Sequence, residues 1–233
     1  MLGGDLYDIV RRDDSGVVLV ADVMGHGFEA ALIAMLVKAA FQEAAAINSD
    51  PGMVLGDMRR RLRRTVPAGR SFVAAAIIRL DPDGAGLQLV NAGLPHPFVL
   101  RSAARRLEEI HLDGRPLGLS DEIGDDCAVN ALTLGRADVL LVASDGIGSV
   151  EGAGGDHFDE HRLREALARM VGRNGTDVIR AAGGRGACVR PRAPAPGRRE
   201  PAGDLATGRH GAGSGKRANS HPFRSTRQAR RRR

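Results

Sequence analysis

The chain has 233 residues, of which 42% are hydrophobic and 27% are charged, so most of it can bury a core. It contains six Phe, one Tyr and no Trp, and it therefore lacks the aromatic platforms on which single-stranded nucleic acid stacks. Two cysteines are too few for a disulfide framework and fit the reducing cytosol, so a cytoplasmic protein is expected.

Charge is distributed unevenly. The formal net charge of +6 conceals a C-terminal stretch, Gly183 to Arg233, in which 14 Lys and Arg stand against Glu200 and Asp204. The first 182 residues therefore carry a net charge of −6. An acidic body with a basic end argues against a specific nucleic-acid binder, although the tail by itself could bind acidic surfaces non-specifically.

Membrane and secreted classes are not expected. The best apolar stretch, Ala30 to Phe41, is interrupted by Lys38 and falls short of the roughly 20 residues that a membrane span needs. Asp5 and Asp8 occupy the region where a secretory leader would be basic and then apolar. We therefore expect neither a membrane partner nor a leader.

Apolar periodicity and turn signals predict the elements in chain order. A buried strand at Val17–Ala21 is followed by a Gly-containing loop at Asp22–Gly27. Two helices come next, and Asp81–Gly84 then marks the turn of a hairpin. The remaining predicted elements are helices at Phe28–Ile47, Met53–Thr65, Arg162–Val171 and Thr176–Ala182, hairpin strands at Ser71–Leu80 and Gly86–Asn91, and strands at Pro97–Arg101, Leu107–Leu112, Ala128–Leu134 and Asp138–Ala143.

This order, a helix pair, a β block and a second helix pair, favours an α+β layered domain over a doubly wound parallel sheet. We predict that residues 1–182 form this domain. From Gly183 to Arg233 the chain contains five Pro, nine Gly and 13 Arg and almost no Val, Ile or Leu. Such a composition cannot bury enough apolar surface to offset the entropy of ordering, so a disordered basic tail is predicted.

Three acidic residues occupy special places in this pattern. Asp5 follows two glycines, and Asp22 and Asp145 come at the ends of apolar strands. Carboxylates held at the edge of a rigid sheet suit hard divalent cations. Taken singly, each Asp also fits a turn or a helix cap. Because Gly25-His26-Gly27 and a helix follow Asp22, a helix cap or a phosphate site at this segment is also possible.

Five segments together resemble the SpoIIE-like branch of the protein phosphatase type 2C (PPM) family. They match in the order and at the approximate spacing of the family, over about Leu2 to Ala182, and five motifs in register make a chance similarity improbable. The segments are Gly3-Gly4-Asp5-Leu6-Tyr7-Asp8, Ala21-Asp22-Val23-Met24-Gly25-His26-Gly27, Asn91-Ala92-Gly93-Leu94-Pro95-His96-Pro97, Pro116-Leu117-Gly118-Leu119 and Ser144-Asp145-Gly146-Ile147.

The resemblance implies a metal-dependent protein serine/threonine phosphatase. Its implied fold is an α-β-β-α sandwich, in which two antiparallel sheets are covered by helices. It implies two Mn²⁺ or Mg²⁺ ions that share carboxylates and an activated water. Asp22 would bridge the ions, the carbonyl of Val23 would bind one and Asp145 the other, and Asp5 would support them. The implied substrate is a phosphoserine on a STAS-type anti-sigma-factor antagonist, a partner protein of a bacterial signalling pathway.

His26 has two interpretations. It could donate a proton to the leaving serine oxygen, or it could be a turn histidine that fixes the loop. The comparable His of eukaryotic relatives lies where this chain has Met24, so the role is not transferred directly. The family's His after Asn-Ala-Gly is replaced by Leu94, with His96 two residues later. Asp8 is interpreted as a loop-bonding residue rather than a ligand.

The sequence also departs from the family at its ends. The family's closing Asp-Asp-x-Thr motif, which supplies a metal ligand, is expected shortly after Ala182. Arg/Pro/Gly-rich sequence stands there instead, and Asp204 is only a weak match to the motif. We expect a domain that is truncated at both ends and incomplete at the C-terminus, with a shift of reading frame near Ala182–Gly184. The alternative function is then a catalytically impaired regulatory module that binds its partner without hydrolysis.

Overall fold

The structure is a computed structural model of the chain. It describes residues 3–12, 15–66, 71–82, 84–118, 127–145, 160–181, 186–190 and 204–208. In chain order its elements are β1 (Gly3–Arg12), β2 (Ser15–His26), α1 (Phe28–Ile47), α2 (Pro51–Thr65), β3 (Val73–Leu80), β4 (Gly86–Ala92), β5 (Phe98–Arg101), β6 (Arg106–Glu109), β7 (Asn130–Thr133), β8 (Val139–Val142), α3 (Glu160–Arg169), α4 (Gly175–Ala181), β9 (Gly186–Arg190) and β10 (Asp204–Gly208).

The strands form two antiparallel sheets. The first sheet has the order β1-β2-β3-β4-β7, and the second has the order β10-β9-β8-β5-β6. Strands β1 to β4 are neighbours in chain order. Short connections join β1 to β2 and β3 to β4, whereas α1 and α2 lie between β2 and β3 in the chain. Strand β2 is paired on both sides, with β1 and with β3.

Alternation along the strands divides the apolar side chains among three layers. In β2, Val17 and Leu19 pack against α1 and α2. Val18 and Val20, which point the other way, pack between the two sheets with residues of β5 and β8. The outer face of the second sheet is covered by α3 and α4. The predicted α+β sandwich of two antiparallel sheets between helix layers is therefore confirmed.

Most predicted elements are present with small changes of boundary. The hairpin is β3 and β4, and the strand buried on both faces is β8, in which all four residues are buried. Helix α2 begins at Pro51 rather than at Met53, because the Asp50 side chain accepts the Met53 N–H at 2.9 Å and caps the helix.

The structure differs from the predicted elements in two ways over the first 30 residues. No strand was predicted at Gly3–Arg12, yet β1 covers this range and forms the edge of the first sheet. Asp22–Gly27 was predicted to be a loop, but β2 continues to His26 because Asp22 and Val23 pair with β3. Asp22 therefore lies within a strand rather than after its end.

The predicted disorder of the tail is wrong for two segments. Strand β9 pairs with β8 and strand β10 pairs with β9, so both extend the second sheet. Backbone pairing explains this result, since the apolar strand β8 would otherwise leave one row of peptide groups without partners. The other residues after Ala181 lie outside the described residues. Asp204, the weak match to the closing motif, is the first residue of β10.

Helix α1 is long and apolar enough, by length and composition alone, to cross a membrane; it is the one helix of this kind among the described residues. The expectation that no apolar stretch approaches this length is wrong, because the helix continues through Lys38, whose Nζ pairs with Asp8 Oδ1 at 3.2 Å. One face of α1 is buried against the first sheet and α2.

Candidate functional site

Three carboxylates come from different parts of the chain to one end of the gap between the sheets. Asp5 and Asp22 are directly paired across β1 and β2. Asp22 has the strand parity of Val18 and Val20, which face the gap. Asp145 follows β8, whose Val142 packs in the same layer.

The electrostatics of Asp22 show that the three groups are close. Burial, the charge of Asp5, and hydrogen bonding and charge from Asp145 together raise the pKa of Asp22 from 3.8 to about 7. Like charges held together disfavour ionisation of one member, as burial does. Asp22 therefore lies close to both Asp5 and Asp145.

The chemistry of these donors fits a hard divalent cation, because carboxylate oxygens are the ligands that Mg²⁺ and Mn²⁺ prefer and a cation would relieve the repulsion at Asp22. Within the described ranges, however, no group of three or more His, Cys, Asp or Glu side chains has the spacing of a metal site. Among the described residues, the three carboxylates therefore do not form a complete ligand set.

The carbonyl of Val23, the other ligand implied by the sequence, belongs to the residue next to Asp22. Val23 follows Asp22 in β2, and its side chain is buried on the helix side of the first sheet. The pairing of β1 with β2 is irregular at this point, between Gly3 and Asp5. Gly4, which the sequence reasoning did not single out, packs against the Val23 carbonyl. The Gly3-Gly4-Asp5 sequence was the only available signal for this contact.

The environment of His26 differs from that of the three carboxylates. It is exposed at the end of β2, opposite Gly3. Gly25 and Gly27 on either side have φ of 95° and 87°, so the backbone turns sharply around it. His26 is not among the groups that shift the pKa of Asp22.

Asp8 is not part of the group. Although it lies three residues from Asp5 on β1, it has the opposite parity, and its side chain meets α1. Asp8 accepts a hydrogen bond from Gln42 Nε2 at 2.9 Å and pairs with Lys38 at 3.2 Å. It joins a strand to a helix, rather than bonding a loop as predicted.

The Asn91–Pro97 segment has an architectural role. The Asn91 amide donates to the carbonyls of Leu94 and Leu112 at 2.8 and 3.3 Å and accepts the Leu94 N–H at 3.1 Å. Gly93, with φ of 90°, packs closely against Pro116, so two of the motifs touch each other. These residues hold the turn after β4 and supply no group to the carboxylates.

Comparisons with known proteins agree with this architecture. The family model for Stage II sporulation protein E (SpoIIE) matches residues 12–183, more than half of the chain. The chain is 26% identical over 150 residues to the phosphoserine phosphatase RsbP of Bacillus subtilis, and the match covers 63% of this chain and 36% of RsbP. It is 25% identical over 146 residues to the phosphoserine phosphatase RsbU of the same organism, covering 63% of this chain and 43% of RsbU. The chain thus spans less than half the length of these relatives.

Among solved structures, the SiaA PP2C domain of Pseudomonas aeruginosa has a similar fold. The TM-score is 0.64 at 23% identity, and the match covers 78% of this chain and 71% of that domain. Family match, curated relatives and fold agree with one another. The chain therefore belongs to the SpoIIE family and has the fold of its PP2C-type phosphatase domains.

Proposed function

We propose that this chain is a metal-dependent protein serine/threonine phosphatase of the cytoplasm. The observation that carries the proposal is the convergence of Asp5, Asp22 and Asp145 at one end of the sandwich, with Asp22 close to two like charges. A cluster of mutually repelling carboxylates is costly without a counter-charge, so its presence favours cation binding.

The proposed roles follow from the positions of the residues. Asp22, as the central carboxylate, would be shared by two Mn²⁺ or Mg²⁺ ions, with Asp145 and the Val23 carbonyl each holding one and Asp5 supporting the set. Bound divalent cations lower the pKa of coordinated water and orient a phosphoryl group for in-line attack. Strands β1 and β2 hold the oxygens of Asp5, Asp22 and Val23, while Asp145 follows β8.

His26 is proposed as the residue that returns a proton to the serine oxygen when the P–O bond breaks. Its exposed position at the end of β2, four residues after Asp22, supports this role. If His26 is instead a turn histidine, replacing it with Ala lowers activity only slightly.

The proposed substrate is a phosphoserine on a STAS-type anti-sigma-factor antagonist. RsbP and RsbU are phosphoserine phosphatases by name, and this supports a serine-linked phosphate as the target. The partner would then be a folded protein rather than a small metabolite.

The decisive experiment is Mn²⁺-dependent hydrolysis of a phosphoserine peptide by the full chain. We expect turnover that is lost in Asp22→Ala and Asp145→Ala, because each removes a proposed ligand. Asp8→Asn is the matched control, since this carboxylate lies on β1 but faces α1, and it should retain activity. Equal activity in all four proteins would refute the assignment.

A second function, a regulatory module that binds its partner without hydrolysis, is favoured by the lack of a complete ligand group among the described residues. Binding of the phosphorylated partner without turnover at saturating Mn²⁺ would support this second function over the first.

A further inference from the structure

The pairing of β1 with β2 contains an irregularity next to the proposed metal ligands. Asp5 pairs with Asp22, but the next pair along is Gly3 with His26. One residue of β1, Gly4, therefore lies opposite three residues of β2, from Val23 to Gly25. Such bulges redirect the backbone groups of the longer strand and often occur beside functional sites.

Gly4 is buried, and there is no room for a side chain at this position. A Cβ added to Gly4 would lie 3.0 Å from the carbonyl carbon and from the Cβ of Val23, and closer still to the Val23 carbonyl oxygen. Gly4 is not among the described glycines with positive φ. Position 4 therefore needs glycine because there is no space for a Cβ, and not because the backbone is left-handed.

We propose that Gly4 is a positioning residue for the metal site, and this inference rests on the proposed function. By allowing the Val23 carbonyl to lie against the β1 backbone, Gly4 fixes the direction of a neutral oxygen ligand. The same close approach keeps Asp5 paired with Asp22. A side chain at position 4 would push the strands apart and displace both oxygens.

Gly4→Ala tests this role, with Gly16→Ala as the matched control. Both glycines are buried in the pairing of β1 with β2 and neither has a positive φ, but a Cβ at Gly16 would meet nothing within 4 Å. Mn²⁺ binding to the metal-free proteins is measured by calorimetry. We expect Gly4→Ala to bind about 10- to 100-fold more weakly, as for other residues that orient metal ligands, and Gly16→Ala to bind like the wild type.

The melting temperature in EDTA separates a ligand effect from a loss of folding. Weaker Mn²⁺ binding by a Gly4→Ala protein that melts cooperatively supports the proposal, whereas wild-type affinity in that protein overturns it. If the wild type itself binds no Mn²⁺, the proposed function fails and not merely the role of Gly4.

A second measurement applies even if Gly4→Ala does not fold. Val23-Met24 is the only Val-Met dipeptide in the sequence, so ¹³C-carbonyl valine and ¹⁵N-methionine labelling isolates one NMR correlation for the Val23 carbonyl. We expect this resonance to shift when diamagnetic Mg²⁺ is added to the wild type and to Gly16→Ala. A resonance that does not move at saturating Mg²⁺ would overturn the proposal while leaving the carboxylate site intact.

Discussion

Asp22 is a residue whose ionised form is unfavourable for folding. Its carboxylate is half-buried and lies close to the charges of Asp5 and Asp145, and these effects together raise its pKa to about 7. In the unfolded chain the same group has its ordinary pKa. Ionised Asp22 is therefore tolerated less well by the folded protein than by the unfolded one.

This difference predicts how the stability of the metal-free protein depends on pH. Between the ordinary pKa of 3.8 and the raised value of about 7, the folded protein retains a proton that the unfolded chain has released. Unfolding then releases a proton, so the contribution of Asp22 to the free energy of unfolding falls as pH rises through this window and is constant above it.

Asp22→Asn isolates that contribution, because Asn resembles protonated Asp in shape but does not ionise. Urea unfolding in EDTA should show the variant close to wild type near about pH 4 and more stable than wild type near about pH 8. The same variant should lose Mn²⁺ binding. A stability difference that does not change with pH would contradict the pKa assigned to Asp22.

At the scale of elements, the prediction from sequence was accurate where local signals were strong. Asp81–Gly84 identified the hairpin, and the apolar run Val139–Ala143 identified β8. Strand β1 was missed because its charged residues interrupt any simple alternation. The charge of Asp8 is balanced by Lys38 of α1. This partner is 30 positions away in the sequence, so a local pattern does not predict it.

The turn after β4 depends on one buried amide. Asn91 is 2% exposed and forms three hydrogen bonds to backbone groups of Leu94 and Leu112. Asn91→Ala leaves these buried groups without partners, and we expect a loss of about 2–4 kcal/mol in the free energy of unfolding. Asn130→Ala, which removes a single hydrogen bond to Ala128, should change it by less than about 0.5 kcal/mol. Equal effects in urea unfolding would rule out the architectural role.

The start of α2 depends on its cap. The Asp50 carboxylate accepts the Met53 N–H, and Pro51 occupies the first turn. Asp50→Ala should destabilise the protein by about 1 kcal/mol in thermal denaturation, while Asp50→Asn, which retains an acceptor oxygen, should remain near wild type. If both variants melted alike, the cap would not be the cause of the earlier start.

At the scale of the whole molecule, the second sheet depends on residues that composition assigned to a disordered tail. Strand β8 lies between β5 and β9, and its four residues are all buried. Removing β9 would expose an apolar strand edge, which is a common cause of aggregation.

Two truncations test this dependence. A chain ending at Ala181 lacks β9 and β10, whereas one ending at Gly208 retains both and lacks only residues outside the described ranges. We expect the shorter chain to melt at lower temperature and to aggregate in size-exclusion chromatography, and the longer one to behave like the full protein. If the shorter chain behaved like the full protein, β9 would contribute nothing to stability, as expected for an out-of-frame product.

Motifs and periodicity are local properties of the chain, and they were enough to identify the family, the α+β layers and the acidic residues. The tertiary structure decided which of them meet: Asp5, Asp22 and Asp145 come together because β1 pairs with β2 and the two sheets stack, whereas Asp8 points to a helix. It also decided that part of the tail forms strands and that Gly4 must be small. These outcomes depend on cross-strand register and on space between backbones, neither of which is written in any single stretch of residues.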